Sequence, residues 1–135
     1  MGYRYLNKNV LGRFEEDCTV RAISCATNRS WDYVYEYLSD AAQANGTMMD
    51  NREFIIDFLD SQYERVPDVY GTVGEVSKEF RKNVILITMD GHITCSKYGI
   101  IYDTFDPRDR EAEFVWIVEW YYWGWYRDIS LSLYY

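Results

Sequence analysis

The chain has 135 residues, 48% of them hydrophobic and 19% aromatic, a size and composition typical of one folded domain over residues 1–135. Its 22 acidic residues exceed its 14 basic residues, and the net charge of −8 argues against a nucleic-acid partner, because phosphate binding needs clustered cations. No run reaches the ~20 apolar residues of a membrane-spanning helix, so no membrane partner is expected.

The first half of the chain is predicted to be an arm followed by helices. Residues 1–16 have no clear hydrophobic period and are predicted to form an extended N-terminal arm. Four helices are predicted from residues that can cap an N-terminus: Asp17, Ser30, Asp50 with Glu53, and Thr72 with Glu75. The first helix should end near Asn28, the second at Asn45, and the fourth at residues 82–83.

The second half is predicted to be a sheet. Residues 84–89 are a continuous β-branched and apolar run, typical of a strand buried on both faces. Further strands are predicted at residues 63–66, from His92, over residues 100–105 and over residues 113–122. Because the helices precede the strands, the predicted fold class is α+β, with helices packed on an antiparallel sheet.

The chain has three cysteines, Cys18, Cys25 and Cys95, and a single histidine, His92. An odd number of cysteines and no secretory leader favour the reducing cytoplasm. Their spacing fits no zinc site, and one histidine leaves few ligands, so neither a metal nor another cofactor is expected. We expect Cys25 and Cys95 to be inert thiols of the core.

Cys18 and His92 have the positions of a nucleophile and its base. Cys18 follows the predicted cap Asp17, and the unpaired N–H groups of a helix N-terminus lower the pKa of a thiol placed there. The backbone N–H of Cys18 can supply half of an oxyanion hole. His92 opens a strand and can face the thiol where helix and sheet meet. This order of groups predicts nucleophilic catalysis by cysteine.

The acid that orients His92 depends on the turn after its strand. A two-residue loop of Tyr98 and Gly99 would put His92 on the same face as Asp103. A three-residue loop would put it on the same face as Asp106. Tyrosine is disfavoured at positive φ, so the three-residue loop and Asp106 are preferred, with Asp103 as the alternative.

Three segments resemble a known family: residues 17–22 (DCTVRA), 91–94 (GHIT) and 101–106 (IYDTFD). They resemble the papain-like cysteine peptidase superfamily, most of all its small single-domain members in bacteria and phages. The Asp-Cys start and the Asp-Pro end are also similar to bacteriocin-processing peptidases. The resemblance implies a papain-like fold and a hydrolase, in the host-cell cytoplasm if phage-encoded, that cleaves a peptide, isopeptide or side-chain amide bond of a protein or peptide substrate. It also implies the roles of Cys18 as nucleophile, His92 as base and Asp106 as orienter.

One departure from that family concerns the oxyanion hole. The family usually has a glutamine about six residues before the cysteine, but Gly12 stands there and no glutamine precedes Cys18. Asn9 or Asn7 in the arm is the candidate replacement. Loss of this donor would slow the reaction by about 10²–10³. The alternative function is therefore an inactive or weakly active papain-fold protein, such as a phage-type inhibitor that binds a host factor.

Residues 119–135 form an aromatic C-terminal tail that includes Trp120, Trp123 and Trp125. The first interpretation is a final strand whose rings pack on the sheet. The second is a recognition surface, since tryptophan and tyrosine dominate binding hot spots, and it would allow a homo-oligomer.

Overall fold

A computed structural model describes residues 2–122 and 125–128, with side-chain surroundings for residues 2–118. Within these residues the chain has the predicted α+β architecture. The helices are α1 (Cys18–Thr27), α2 (Trp31–Ala44), α3 (Arg52–Gln62) and α4 (Val73–Glu79). The strands are β1 (Tyr3–Tyr5), β2 (Glu64–Arg65), β3 (Val84–Met89), β4 (His92–Lys97), β5 (Ile100–Asp103), β6 (Val115–Tyr122) and β7 (Trp125–Asp128).

The helix ends follow the capping signals with two corrections. Ser30 accepts a hydrogen bond from the Tyr33 N–H, and Thr72 forms the predicted capping box with Glu75. The cap of α3 is Asn51, because its side chain, and not that of Asp50, accepts the Phe54 N–H. Helix α4 is shorter than predicted and ends at Glu79, since the chain turns after it.

Asp17 precedes α1 as predicted, but its side chain makes no capping hydrogen bond. The carboxylate binds Arg21 instead, one turn further along the helix. The helix ends at Thr27, and the capping residue Asn28 adopts the left-handed conformation with φ 57°. The nucleophile candidate Cys18 is therefore the first residue of the helix, where backbone N–H groups have no partner within the helix.

The described strands form one sheet in the order β1-β5-β4-β3-β6-β2, with β7 paired to β6. Strand β3 is central, and all six of its residues are buried, as predicted. The antiparallel prediction holds for each pair except β1 and β5, which are parallel. The error arises because β1 lies in the predicted extended arm, and no local pattern marks its pairing with a strand about a hundred residues away.

Helices cover the sheet on both faces, which explains the apolar run of β3. Its residues Val84 and Leu86 pack with α1, α2 and α3. Its residues Ile85, Ile87 and Met89 pack with α4 on the other face. No helix among residues 2–122 and 125–128 has the length and apolar character needed to cross a membrane.

The aromatic tail falls partly outside the described residues. The backbone pairs β6 with β7 from Glu119 and Asp128 to Tyr122 and Trp125. The side chains of residues 119–135, and with them the predicted packing or self-association surface, lie outside the part that is described.

Candidate active site

Three elements bring Cys18, His92 and Asp103 together. Cys18 begins α1, His92 begins β4, and Asp103 ends β5. Helix α1 packs directly on β4, and β4 pairs with β5 in a hairpin. The thiol, the imidazole and the carboxylate thus meet at one end of the helix–sheet interface.

The His92–Asp103 contact has the geometry of a base and its orienter. Nε2 of His92 lies 2.7 Å from Oδ2 of Asp103. The two side chains are only 8% and 2% exposed, so water competes little for this hydrogen bond. The ring of Phe105 lies beside the imidazole, with 4.7 Å between the ring centroids.

The preference for Asp106 is wrong, because the turn after β4 is a two-residue loop. Lys97 pairs with Ile100, and both loop residues have positive φ, 53° at Tyr98 and 83° at Gly99. This is the register that puts His92 and Asp103 on one face. The carboxylate of Asp106 is exposed and binds Arg108, with Oδ2 2.8 Å from Nη2.

The Cys18 thiol lies on the same cleft as His92. Nδ1 is the ring nitrogen that the contact with Asp103 leaves free. Burial raises the pKa of the Cys18 thiol, but hydrogen bonding to His92 and the charge of His92 lower it by more. The pKa of the thiol therefore lies below its usual range. The Ile93 backbone and the charge of Arg21 act in the same direction.

The electrostatics favour a thiolate–imidazolium pair. Burial lowers the pKa of His92, but its hydrogen bonds to Asp103 and Cys18 outweigh this effect and raise the pKa from 6.5 to about 9. Burial also raises the pKa of Asp103, whereas the hydrogen bond from His92 holds it below its usual range. A base with a raised pKa beside a thiol with a lowered one can keep the proton at neutral pH.

Comparison with known proteins supplies no family for this arrangement. No family model, curated protein or solved structure matches this chain. The chemistry of the site is therefore argued from its own geometry.

The oxyanion candidates in the arm have other partners. Asn9 donates from Nδ2 to Asp17 and accepts on Oδ1 from the N–H groups of Leu11 and Arg13. Asn7 accepts from the Asn9 N–H and donates to the Arg13 carbonyl. Both amides therefore hold the arm in shape, and the prediction that either serves the oxyanion hole gains no support from their contacts.

Cys18 and His92 line an open cleft of about 850 Å³. Its apolar lining includes Ile55, Ile56 and Phe105. Its acidic lining consists of Glu15, Glu16, Asp50, Asp90 and Glu113. A cleft of this size has room for several residues of a peptide chain.

Arg21 is the site residue that the sequence analysis missed. It lies on α1 beyond Cys18 and joins the carboxylates of Asp17 and Asp103. Its four-residue spacing from Asp17 is a readable signal for an ion pair on a helix.

The other two cysteines lie in the core, as predicted. Cys25 is 5% exposed, and Cys95 is fully buried. Among the side chains described, those of residues 2–118, no group of three or more histidine, cysteine, aspartate or glutamate residues is placed to hold a metal ion.

Proposed function

We propose that this chain is a papain-like cysteine hydrolase that cleaves a peptide, isopeptide or side-chain amide bond. The observation that carries the proposal is the buried imidazole of His92, whose Nε2 lies 2.7 Å from Asp103 and which lines one cleft with Cys18, the first residue of α1. A cysteine at a helix N-terminus, a base and an orienting acid are the parts that thiol catalysis requires.

The reaction follows from where the protons lie. The Cys18 thiolate attacks the carbonyl carbon, and its negative charge passes to the carbonyl oxygen beside the backbone N–H of Cys18. Imidazolium then gives the Nδ1 proton to the leaving amine as the C–N bond breaks, which leaves a thioester. Water gives one proton to His92 as its oxygen attacks the thioester, and collapse of the intermediate releases the carboxylic acid and restores the Cys18 thiolate beside imidazolium.

The decisive test is the alkylation of Cys18 by iodoacetamide at about pH 6.5, where a free thiol is only about 1% ionised, followed by mass spectrometry. We expect Cys18 to be modified much faster than a free thiol, because it is a thiolate in the pair. His92→Ala should reduce the rate to that of an ordinary thiol. Cys25, buried on the same helix, is the internal control and should stay unlabelled in the native protein.

The opposite outcome would favour the binding function. If Cys18 reacts no faster than a free thiol, or if His92→Ala leaves the alkylation rate unchanged, the proposed hydrolase function is wrong. One observation supports a binding protein: the amides of Asn9 and Asn7, the two candidates to replace the missing glutamine, are bound to other partners. The exposed Leu11 and Phe14 of the arm, 78% and 74% accessible, are then the side chains to replace in a binding assay.

A further inference from the structure

We propose that Arg21 is a positioning residue: its guanidinium clamps one oxygen of Asp103, so that the other oxygen is presented to His92. The inference rests on the proposed function, because it assigns Arg21 a part in holding the same site. Arg21 touches neither His92 nor the reacting thiol through any described hydrogen bond. Its effect passes through Asp103.

The contacts of Asp103 divide cleanly between its two oxygens. Oδ1 accepts the backbone N–H of Thr104 at 2.7 Å and Nη1 of Arg21 at 3.1 Å. Oδ2 accepts from His92. A carboxylate held on one side by two donors cannot turn about its last bond without losing both of them. The direction of the remaining oxygen is thereby set.

Arg21 is itself held on its other side. Its Nε donates to Oδ1 of Asp17 at 2.7 Å, and its side chain is only 11% exposed. Oδ2 of Asp17 accepts from Asn9 at 3.0 Å and from the indole N–H of Trp31 at 2.9 Å. The guanidinium therefore lies between two carboxylates whose positions are fixed by α2, the arm and β5.

The location of Arg21 on the helix explains why the clamp matters for the thiol. Cys18 and Arg21 are three residues apart on α1, so they lie on one side of a rigid helix. The ion pair between Arg21 and Asp103 fixes the position of α1, which carries the nucleophile, relative to β5, which carries the orienter. The relative placement of thiol, imidazole and carboxylate then depends on one bridging side chain.

Two features of arginine contribute, and substitutions can separate them. The planar fork places Nε on one carboxylate and Nη1 on another, which an ammonium group cannot do in the same way. The positive charge also helps to lower the pKa of the Cys18 thiol. Arg21→Lys keeps the charge and loses the fork, whereas Arg21→Met loses both.

The experiment measures iodoacetamide alkylation of Cys18 against pH, together with the NMR signals of the His92 ring. His92 is the only histidine in the chain, so its ring signals need no assignment among others. Arg21→Lys should slow alkylation near pH 6.5 about tenfold, because a misplaced Asp103 stabilises imidazolium less and the pH at which the rate rises moves upward by about one unit. Arg21→Met also removes the positive charge and should move that pH further upward.

The His92 ring supplies the readout that a purely structural role would not change. In the wild type we expect a slowly exchanging Nε2–H signal from the bond to Asp103, and both Arg21 variants should lose or weaken it. Arg65→Met is the matched control, because Arg65 is an exposed arginine that pairs with Asp60 and does not line the cleft. It should behave as the wild type in both measurements.

The proposal is overturned if folded Arg21→Lys keeps the wild-type rate, pH profile and ring signal. If Arg21→Met does not fold, Asp17→Asn provides the second test. It removes the anchor of Arg21 without touching Asp103 and should weaken the ring signal and the rate in the same direction. If Cys18 of the wild type is unreactive, the proposed hydrolase function is refuted, and not the role of Arg21. The His92 ring signal still reports in that case whether Arg21 orients Asp103.

Discussion

Asp103 and Asp106 are three residues apart, yet only one of them contacts the histidine. Replacing Asp103 by Asn removes the charge that stabilises imidazolium and leaves an amide opposite Nε2. We expect the pKa of His92 to fall from about 9 toward its ordinary 6.5, and the alkylation of Cys18 near neutral pH to slow by about tenfold or more. NMR titration of the ring measures the first effect, and iodoacetamide kinetics the second.

Asp106→Asn is the matched control for this prediction. The same chemical change falls on an exposed carboxylate bound to Arg108, so both the His92 titration and the alkylation rate should stay at wild-type values. A large loss in Asp106→Asn with none in Asp103→Asn would restore the preference drawn from the sequence.

The residue types and their order on the chain were enough to select Cys18 and His92. Cysteine after a helix cap and histidine at a strand start are local patterns, and the structure places both side chains together. The choice between the two acids needed the conformation of a residue outside the site. Arg21 was not predicted as a site residue, because an ion pair with an acid four residues away is common on helices. Only its contact with Asp103, which the sequence does not show, distinguishes it from an ordinary surface arginine.

At the scale of elements, the turn of Tyr98 and Gly99 decides the site. Tyr98 accepts a left-handed conformation, φ 53°, and its N–H donates to the Asn83 carbonyl. Gly99 lies against Arg81 so closely that an added Cβ would be 3.2 Å from the Arg81 Cβ. The hydrogen bond to Asn83 offsets part of the usual cost of about 1–2 kcal/mol for a side chain in the left-handed region.

Two glycine turns allow this packing to be measured. Gly99→Ala adds both positive-φ strain and the contact with Arg81, so we expect a loss of about 2 kcal/mol or more in the free energy of unfolding. Gly91, with φ 70°, closes the other two-residue turn with nothing within 4 Å of an added Cβ. Gly91→Ala should lose only about 1 kcal/mol. Urea denaturation checks both, and equal losses would contradict the packing argument.

The elements themselves were largely predictable where their signals are local. Residues close together in the sequence were enough to predict the cap at Ser30, the capping box of Thr72 and the buried strand β3. The start of α3 was wrong by one residue because Asp50 and Asn51 are both good caps. The parallel pairing of β1 with β5 was not predictable, since it joins segments that share no pattern.

At the scale of the molecule, charge governs what approaches the thiol. The chain carries a net charge of −8, and five acids line the cleft against two arginines, Arg21 and Arg52. Arg21 is held by Asp17 and Asp103, and Arg52 by Glu113 at 3.3 Å. The long-range field at the cleft is therefore negative.

This field predicts a salt dependence. Iodoacetate is an anion, so its reaction with Cys18 should accelerate as ionic strength rises and screens the repulsion. Iodoacetamide is neutral and of similar size, and its rate should change little. A rate for iodoacetate that falls with salt would mean that the imidazolium of His92 outweighs the acids of the cleft.

Chain order sets when the site can assemble. The main-chain carbonyl of Asp103 accepts hydrogen bonds from the Leu6 N–H at 2.9 Å and the Tyr3 hydroxyl at 3.2 Å, so β5 docks on β1, which precedes it in the chain. Cys18 leaves the ribosome before His92 and Asp103, which follow it by 74 and 85 residues. A nascent chain therefore exposes an ordinary, unactivated thiol during that interval, and the reactive cysteine arises only after β5 has emerged and folded.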